Sequence, residues 1–437
     1  MHKKPIAFHH TTRLPRLVVF DLDGTLLNRQ HSITRRSINA LSLLQQAKAG
    51  PALQSSPITD NQSDQQINGQ GDIINNGGSS NSHDNSNNVQ IMLASGRSPR
   101  SVQLVIDLFE GIVIPDAVIC CNGALNYNPR TKVITHPQFI PLDQATVVVQ
   151  QLRSEISTYG TPKSRIPLSK NPNEMGLGGD LRPLPPLEND QSNEPRMAGR
   201  PGFACEVIWF LGKDEKTGEV IYAPDTTFVC DRTWELHRKH AIYYEYTVLR
   251  ESMETFLQSL LVPSESTGMP KGGIVKLMAL DRNRSAPDLF ESLPPTLRSI
   301  NPTTTNTERM TGTGTGTTGV ESAGIDAEAA LAGNVSNSIS IASPQISITY
   351  SGMYFLEISA AGVNKGLGLI NYCKSQGIAH DDVVAFGDLL NDAEMLQVAG
   401  LGLCMGNGHA DMKKLADRVI GSNADDGVAK EIESWFA

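Results

Sequence analysis

The sequence contains no run of about 18 apolar residues, so no membrane-spanning helix is expected. It also lacks an excess of basic residues. Its formal net charge is −9 and its pI about 5.6, so bulk electrostatics give nucleic-acid binding no support. Six cysteines (Cys120, Cys121, Cys205, Cys230, Cys373 and Cys404) form no CxxC pair and no regular framework. That pattern points to reduced thiols in an intracellular protein. The N-terminal "MHKKPIAFHHTTRLPR" has no long apolar segment, so it does not read as a secretory signal. It is basic and free of acids, like the start of a transit peptide, but a first strand beginning at Leu17 leaves little to cleave. The expected location is the cytosol, with an organelle as the alternative.

What is present is a chain of 437 residues, 39% hydrophobic and 19% charged, enough for two domains with additions. Near both ends, short fully apolar runs alternate with helical patterns. "RLVVF" precedes a helical pattern over 34–49, "VQIMLASG" precedes one over 99–109, and "DAVICCNGA" is a third strand. Later, a helical pattern over 365–376 precedes the strand "VVAFGD", and another over 391–398 precedes "LGLCMG" and the helical "ADMKKLAD". Such alternation predicts an α/β, Rossmann-like core with a central parallel sheet covered on both faces. Three stretches break the pattern: 51–88, about 160–200 and 301–345. They are rich in Asn, Ser, Gly, Pro or Thr and are expected to be disordered insertions, since they cannot bury enough surface to offset ordering. The region 127–358 has a helix candidate over 143–159 and the strand candidates "ACEVIWFL", "GGIVKLMAL" and "ISITYSGMYFLEI". It is expected to be an inserted α+β domain, leaving 1–126 and 359–437 as the core.

The chemistry gathers where predicted strands end, which is where open α/β sheets bind ligands. "LVVFDLDGTLL" sets Asp21 and Asp23 two positions apart directly after a buried strand. Like charges that close raise each other's pKa unless a cation or a shared proton compensates, so a positive partner is expected. Ser95 follows the second strand in "MLASGR", Lys365 lies in "AGVNKG", and "GDLLND" supplies Asp388, Asn391 and Asp392. Hard carboxylate oxygens suit Mg²⁺. One aspartate can then act as a nucleophile on phosphorus, while the other carries a proton for the leaving group if its neighbours raise its pKa. The Ser95 hydroxyl and Lys365 ammonium would bind phosphoryl oxygens. Gly24 permits a sharp turn that brings backbone N–H groups near. Taken singly, "DLDGT" fits an ordinary acidic turn, and Asp392 fits the general preference for acids at a helix start.

Together, "VVFDLDGTLL", "LASGRS", "CCNGA", "FLEISAAGVNKGLGL", "VVAFGDLLNDAEML", "GLCMGNG" and "SNADDGVA" resemble the haloacid dehalogenase (HAD) superfamily of phosphatases, most closely its Cof-type subgroup. The resemblance covers about residues 16–50, 89–126 and 350–437. It implies a HAD core with Asp21 as nucleophile and Asp23 as general acid/base. It also implies Mg²⁺ on Asp21, Asp23 and Asp388, with Asp392 and Asn391 supporting metal and lysine. Ser95 and Lys365 would bind phosphate, and Thr25, Gly96, Arg97 and Asn122 would lie near the substrate. The inserted domain would be a cap that selects substrates. The insertion at 51–88 falls between a helix and the next strand, hence opposite the catalytic edge. Gly408 stands where the family often has Ala.

The implied activity is Mg²⁺-dependent hydrolysis of small-molecule phosphomonoesters (sugar phosphates, nucleotides or cofactor-type compounds) through an aspartyl-phosphate. A phosphotransferase or phosphomutase on the same scaffold is the alternative within the class. A non-catalytic binding or regulatory protein is the alternative outside it. The expected partner is a small phosphorylated molecule, with no nucleic acid and no membrane. Nothing in the sequence indicates an oligomeric state.

Overall fold

The computed structural model describes residues 14–49, 88–154, 201–237, 246–281, 284–291, 293, 345–350 and 355–437. The three stretches expected to be disordered lie outside these residues, apart from 88 and 345. Among the described residues, no helix is long and apolar enough to cross a membrane.

Strands are numbered along the chain. One sheet has eight: β1 (Leu17–Asp21), β2 (Gln90–Ala94), β3 (Ala117–Cys120), β4 (Leu125–Asn128), β5 (Val133–Thr135), β13 (Val383–Gly387), β14 (Leu401–Cys404) and β15 (Arg418–Val419). Their order is β15-β14-β13-β1-β2-β3-β4-β5. All pairings from β15 to β3 are parallel, as fully apolar strands alternating with helices predict. β1 lies in the middle and is buried throughout. Its side chains alternate between two apolar clusters. Val18 and Phe20 join Leu41 and Leu44 of the helix Arg35–Gln46, whereas Leu17 and Val19 join Leu369 and Cys373 of the helix Lys365–Gln376. Both faces are therefore covered. Phe20 also stacks on Phe386 of β13, ring centroids 4.9 Å apart.

Register decides where the functional groups end up. Phe20 lies opposite Phe386 and Asp21 opposite Ala94. Parallel strands in that register bring Asp21, which ends β1, and Ser95 and Asp388, which follow β2 and β13, to one edge of the sheet.

The second sheet has seven strands: β6 (Gly202–Lys213), β7 (Val220–Tyr222), β8 (Thr227–Cys230), β9 (Tyr246–Val248), β10 (Gly272–Leu280), β11 (Ile346–Thr349) and β12 (Phe355–Ala360). It is antiparallel except between β8 and β9. The helices Leu142–Ser154 and Met253–Leu261 cover one face, where Val148, Val149, Phe256 and Leu257 pack on Phe203, Val207, Ile274 and Leu277. Ile208 and Val275 join the core's apolar cluster, so this sheet is seated against the first one.

Three expectations need correcting. The sequence reading begins the insert at 127, within β4, yet β4 pairs antiparallel with β3 and β5 with β4, so both extend the core sheet. Alternation alone cannot say which sheet a short strand joins. The single strand expected in "ISITYSGMYFLEI" is two, β11 and β12, paired to each other. The helix expected over 391–398 opens with a 3₁₀ turn, Leu390–Asp392, before the α-helix Ala393–Val398.

Candidate active site

Asp21 closes β1 and is 5% exposed. Lys365, the first residue of its helix, is 1% exposed and donates to Asp21 Oδ1 and to Asp392 Oδ1, each at 2.6 Å. The Asn364 side chain caps this helix by accepting from Leu367 N–H at 2.8 Å, which sets the point where Lys365 enters the core. Asp392 is fully engaged: its Oδ2 accepts the N–H groups of Asp388 (3.0 Å) and Leu389 (3.1 Å). It therefore holds both the lysine and the loop after β13.

Carboxylate oxygens of Asp21, Asp388 and Asp392 lie within 4.8 Å of one another. Three buried acids against one ammonium leave an excess of negative charge, and the titrations of Asp21 and Asp388 respond. Burial, reinforced by the charge of Asp392 against the pull of Lys365, raises the Asp21 carboxyl well above its usual range. Burial and Asp392 likewise push Asp388 up to about 7. The positive partner expected from the sequence is thus present in part as Lys365, and a divalent cation fits what remains. Asp21 Oδ2 is buried without a hydrogen-bond partner. Gly24, at φ +92°, lies so close to Asp388 that a Cβ there would fall 2.1 Å from its Oδ2. Only glycine leaves that cradle open. Thr25 Oγ1 faces Asp388 Oδ1 at 3.5 Å, so Thr25 stands on the carboxylate side of the site.

Asp23 departs from expectation. Two carboxylates so near should raise each other, yet Asp23 faces away into a different set of partners. Arg97 grips it with a fork, Nε to Oδ2 at 2.9 Å and Nη2 to Oδ1 at 2.6 Å, and His31 Nδ1 lies 3.3 Å from Oδ1. Burial works to raise this carboxyl, but the His31 hydrogen bond and the Arg97 fork hold it down to about 2. The raised pair is Asp21 and Asp388.

Ser95 is buried, and its Oγ accepts from Arg97 N–H at 3.2 Å. Its carbonyl accepts Asn122 N–H at 3.0 Å, while Arg97 O accepts Cys121 N–H at 2.9 Å, tying the turn after β2 to the one after β3. Cys121 and Asn122 both have left-handed backbone, at φ 51° and 56°. Asn122 Oδ1 is buried without a partner, and a Cβ on Gly96 would lie 3.1 Å from it. Asn391 sits in the 3₁₀ turn beside Asp392. All six cysteines are free and buried, and the Cys120–Cys121 pair is packing.

Two residues escaped the sequence reading. His31 carries no motif signal. Asn407, in the quoted "GLCMGNG", donates Nδ2–H to Gly24 O at 2.7 Å. Its Oδ1 accepts Asn423 N–H at 2.9 Å, and Asn423 Nδ2 reaches Leu27 O at 2.9 Å. Both ends of the Asp23–Leu27 loop are thereby tethered. Gly408 also has a local reason: a Cβ there would meet Cys404 Sγ at 2.7 Å and Asp388 O at 3.0 Å.

Comparison with known proteins finds similarity to phosphatases and to haloacid dehalogenase-like hydrolases. A 5-amino-6-(5-phospho-D-ribitylamino)uracil phosphatase of Bacillus subtilis is 40% identical over 91 residues, 21% of this chain and 36% of that protein. A pyridoxal phosphate phosphatase of Escherichia coli is 42% identical over 79 residues, 18% and 29% of the two chains. The chain thus spans about a third of the length of the curated relatives it matches. A haloacid dehalogenase-like hydrolase from Bacteroides thetaiotaomicron aligns over 96% of this chain and 98% of its own, with 16% identity and a TM-score of 0.49. A family model described as haloacid dehalogenase-like hydrolase matches residues 82–163 and 325–432, which include Ser95, Arg97, Asn122, Lys365, Asp388 and Asp392. Over those two segments the chain is similar to the haloacid dehalogenase-like hydrolases.

Proposed function

We propose that this chain is a Mg²⁺-dependent phosphatase acting on small-molecule phosphomonoesters through a covalent aspartyl-phosphate on Asp21. The observation that carries the reading is the buried Asp21–Lys365–Asp392–Asp388 cluster, in which Asp21 Oδ2 is left without a partner. Asp21 and Asp388 would hold the cation with the Asp23 carbonyl, and Asp392 would support them through Lys365 and the loop N–H groups. When bound, the cation supplies positive charge that neutralises the phosphoryl oxygens and keeps Asp21 ionised.

The Asp21 carboxylate attacks phosphorus, forming one P–O bond as the ester P–O bond breaks. The departing alkoxide takes a proton from Asp23. Water then attacks the phospho-aspartate, Asp23 takes its proton, and inorganic phosphate leaves with Asp21 restored. Asp23 is ionised beneath Arg97 and His31, the form needed to activate water. Its acid role requires the Arg97 fork to release it, which a substrate anion close to Arg97 would favour, and the uptake of a proton from water before the ester bond breaks. Lys365 and the Ser95 hydroxyl stabilise charge on the phosphoryl oxygens.

The test is phosphate release from a generic aryl phosphate, then from a panel of sugar phosphates, nucleotides and cofactor monoesters. The names of the two relatives above make pyridoxal phosphate and a phosphoribityl compound natural members of that panel. Release should require Mg²⁺ and disappear in Asp21→Asn. Metal-independent release, or an active Asp21→Asn variant, would refute the reading.

A further inference from the structure

Three charged side chains on the cap sheet have no part in the chemistry above. Glu206 on β6, Lys276 on β10 and Glu357 on β12 occupy adjacent strands and are all buried. Lys276 pairs with Glu357, and its ammonium also donates to the carbonyl of Gly96 at 3.2 Å. Glu206 accepts from Thr226 Oγ1 at 2.7 Å and from the side chain of Ser98. From the core side, Arg100 reaches Asp225 Oδ2 at 3.3 Å and Thr226 O at 2.7 Å. These contacts converge on a single core segment, residues 96–100. That segment continues directly from Ser95 and contains Arg97.

A buried ammonium is costly unless paired, and burial pushes Lys276 toward neutrality while Glu357 holds it charged. An apolar pair of similar volume would serve stability at least as well. What an apolar pair cannot supply is a donor to Gly96 O. That carbonyl lies between the Ser95 hydroxyl and the Arg97 guanidinium, and the turn around it is closed by the Arg97 N–H to Ser95 Oγ bond.

We propose that Lys276 is a positioning residue: held by Glu357, it fixes the Gly96 carbonyl and so seats Ser95 and Arg97 at the active site when the cap is docked. Its kinetic consequence rests on the phosphatase reading above, but the coupling of cap to turn does not.

The experiment compares the full-length protein with Lys276→Met and with Lys276→Met/Glu357→Gln, which removes both charges of that buried pair together. Two quantities are read: steady-state hydrolysis of an aryl phosphate, and hydrogen–deuterium exchange of peptides spanning 95–100, β10 and β12. A geometric fault of this kind should lower kcat about 10- to 100-fold, with KM changed by less than roughly threefold. Exchange in the 95–100 peptide should quicken about tenfold while β10 and β12 keep their protection. The double variant should remain folded and just as slow. A folded double variant with parental kcat, or a slow one with unchanged exchange at 95–100, overturns the proposal. A parent that releases no phosphate with Mg²⁺, alongside quickened exchange in the variants, refutes the phosphatase reading and leaves the coupling standing.

Discussion

Lys365→Met keeps the length of the buried stem and removes the ammonium that touches both Asp21 and Asp392. With 1% of the lysine exposed, water cannot take over those contacts. Breaking a buried pair by deleting one partner leaves uncompensated charge, so a loss of about 3–5 kcal/mol is expected near neutral pH. The sign of its pH dependence follows from the carboxyls. Asp21 already titrates above the unfolded value of 3.8, and without the lysine it titrates higher still. A raised carboxyl lowers stability as pH climbs above the unfolded value, so the deficit should grow from acid toward neutral pH. The lysine adds no slope of its own there. Asp21 and Asp392 raise its pKa against the effect of burial, so its contribution is complete below the unfolded value of 10.5. The assay is urea unfolding, with tryptophan emission as the probe. Trp435 reports on the core because its ring lies 6.2 Å from that of Phe386 on β13. A second variant, Lys365→Met/Asp392→Asn, should recover part of the loss. A deficit below about 1 kcal/mol, or a double variant no more stable than the single, would refute the charge argument.

Two further outcomes follow. In EDTA, Asp388 with a folded value of about 7 against 3.8 binds its proton more tightly when folded, so stability should fall across that interval. The fall should reach at most about 4 kcal/mol and shrink in Mg²⁺; melting curves against pH that run parallel in the two buffers would contradict it. Asn407→Ala removes the donor to Gly24 O and the acceptor for Asn423 N–H. It should lose about 1–2 kcal/mol and lower kcat several-fold, and an unchanged kcat would show that the Gly24 turn holds itself.

The parallel core was legible because its strands are buried on both faces and so read as unbroken apolar runs; Val18 and Val19 serve opposite clusters yet look alike in sequence. The same property hid the boundary of the insert, since "LNYN" and "VIT" carry no mark of the sheet they will join. Most of the candidate site was legible because strand ends are local features. His31 and Asn407 were not, because each matters only through a contact with a loop far along the chain or, for His31, through its aim at Asp23.

Sequence by itself determined that two acids follow a buried strand and that a lysine, a serine and a second acidic loop follow others. Covalent spacing and strand register are enough to bring such groups to one edge. Which acid would be raised and which depressed was decided only in three dimensions. Electrostatics depends on distance and burial rather than on order along the chain, so Asp23, two residues from Asp21, answers to Arg97, while Asp21 answers to Lys365 and Asp392.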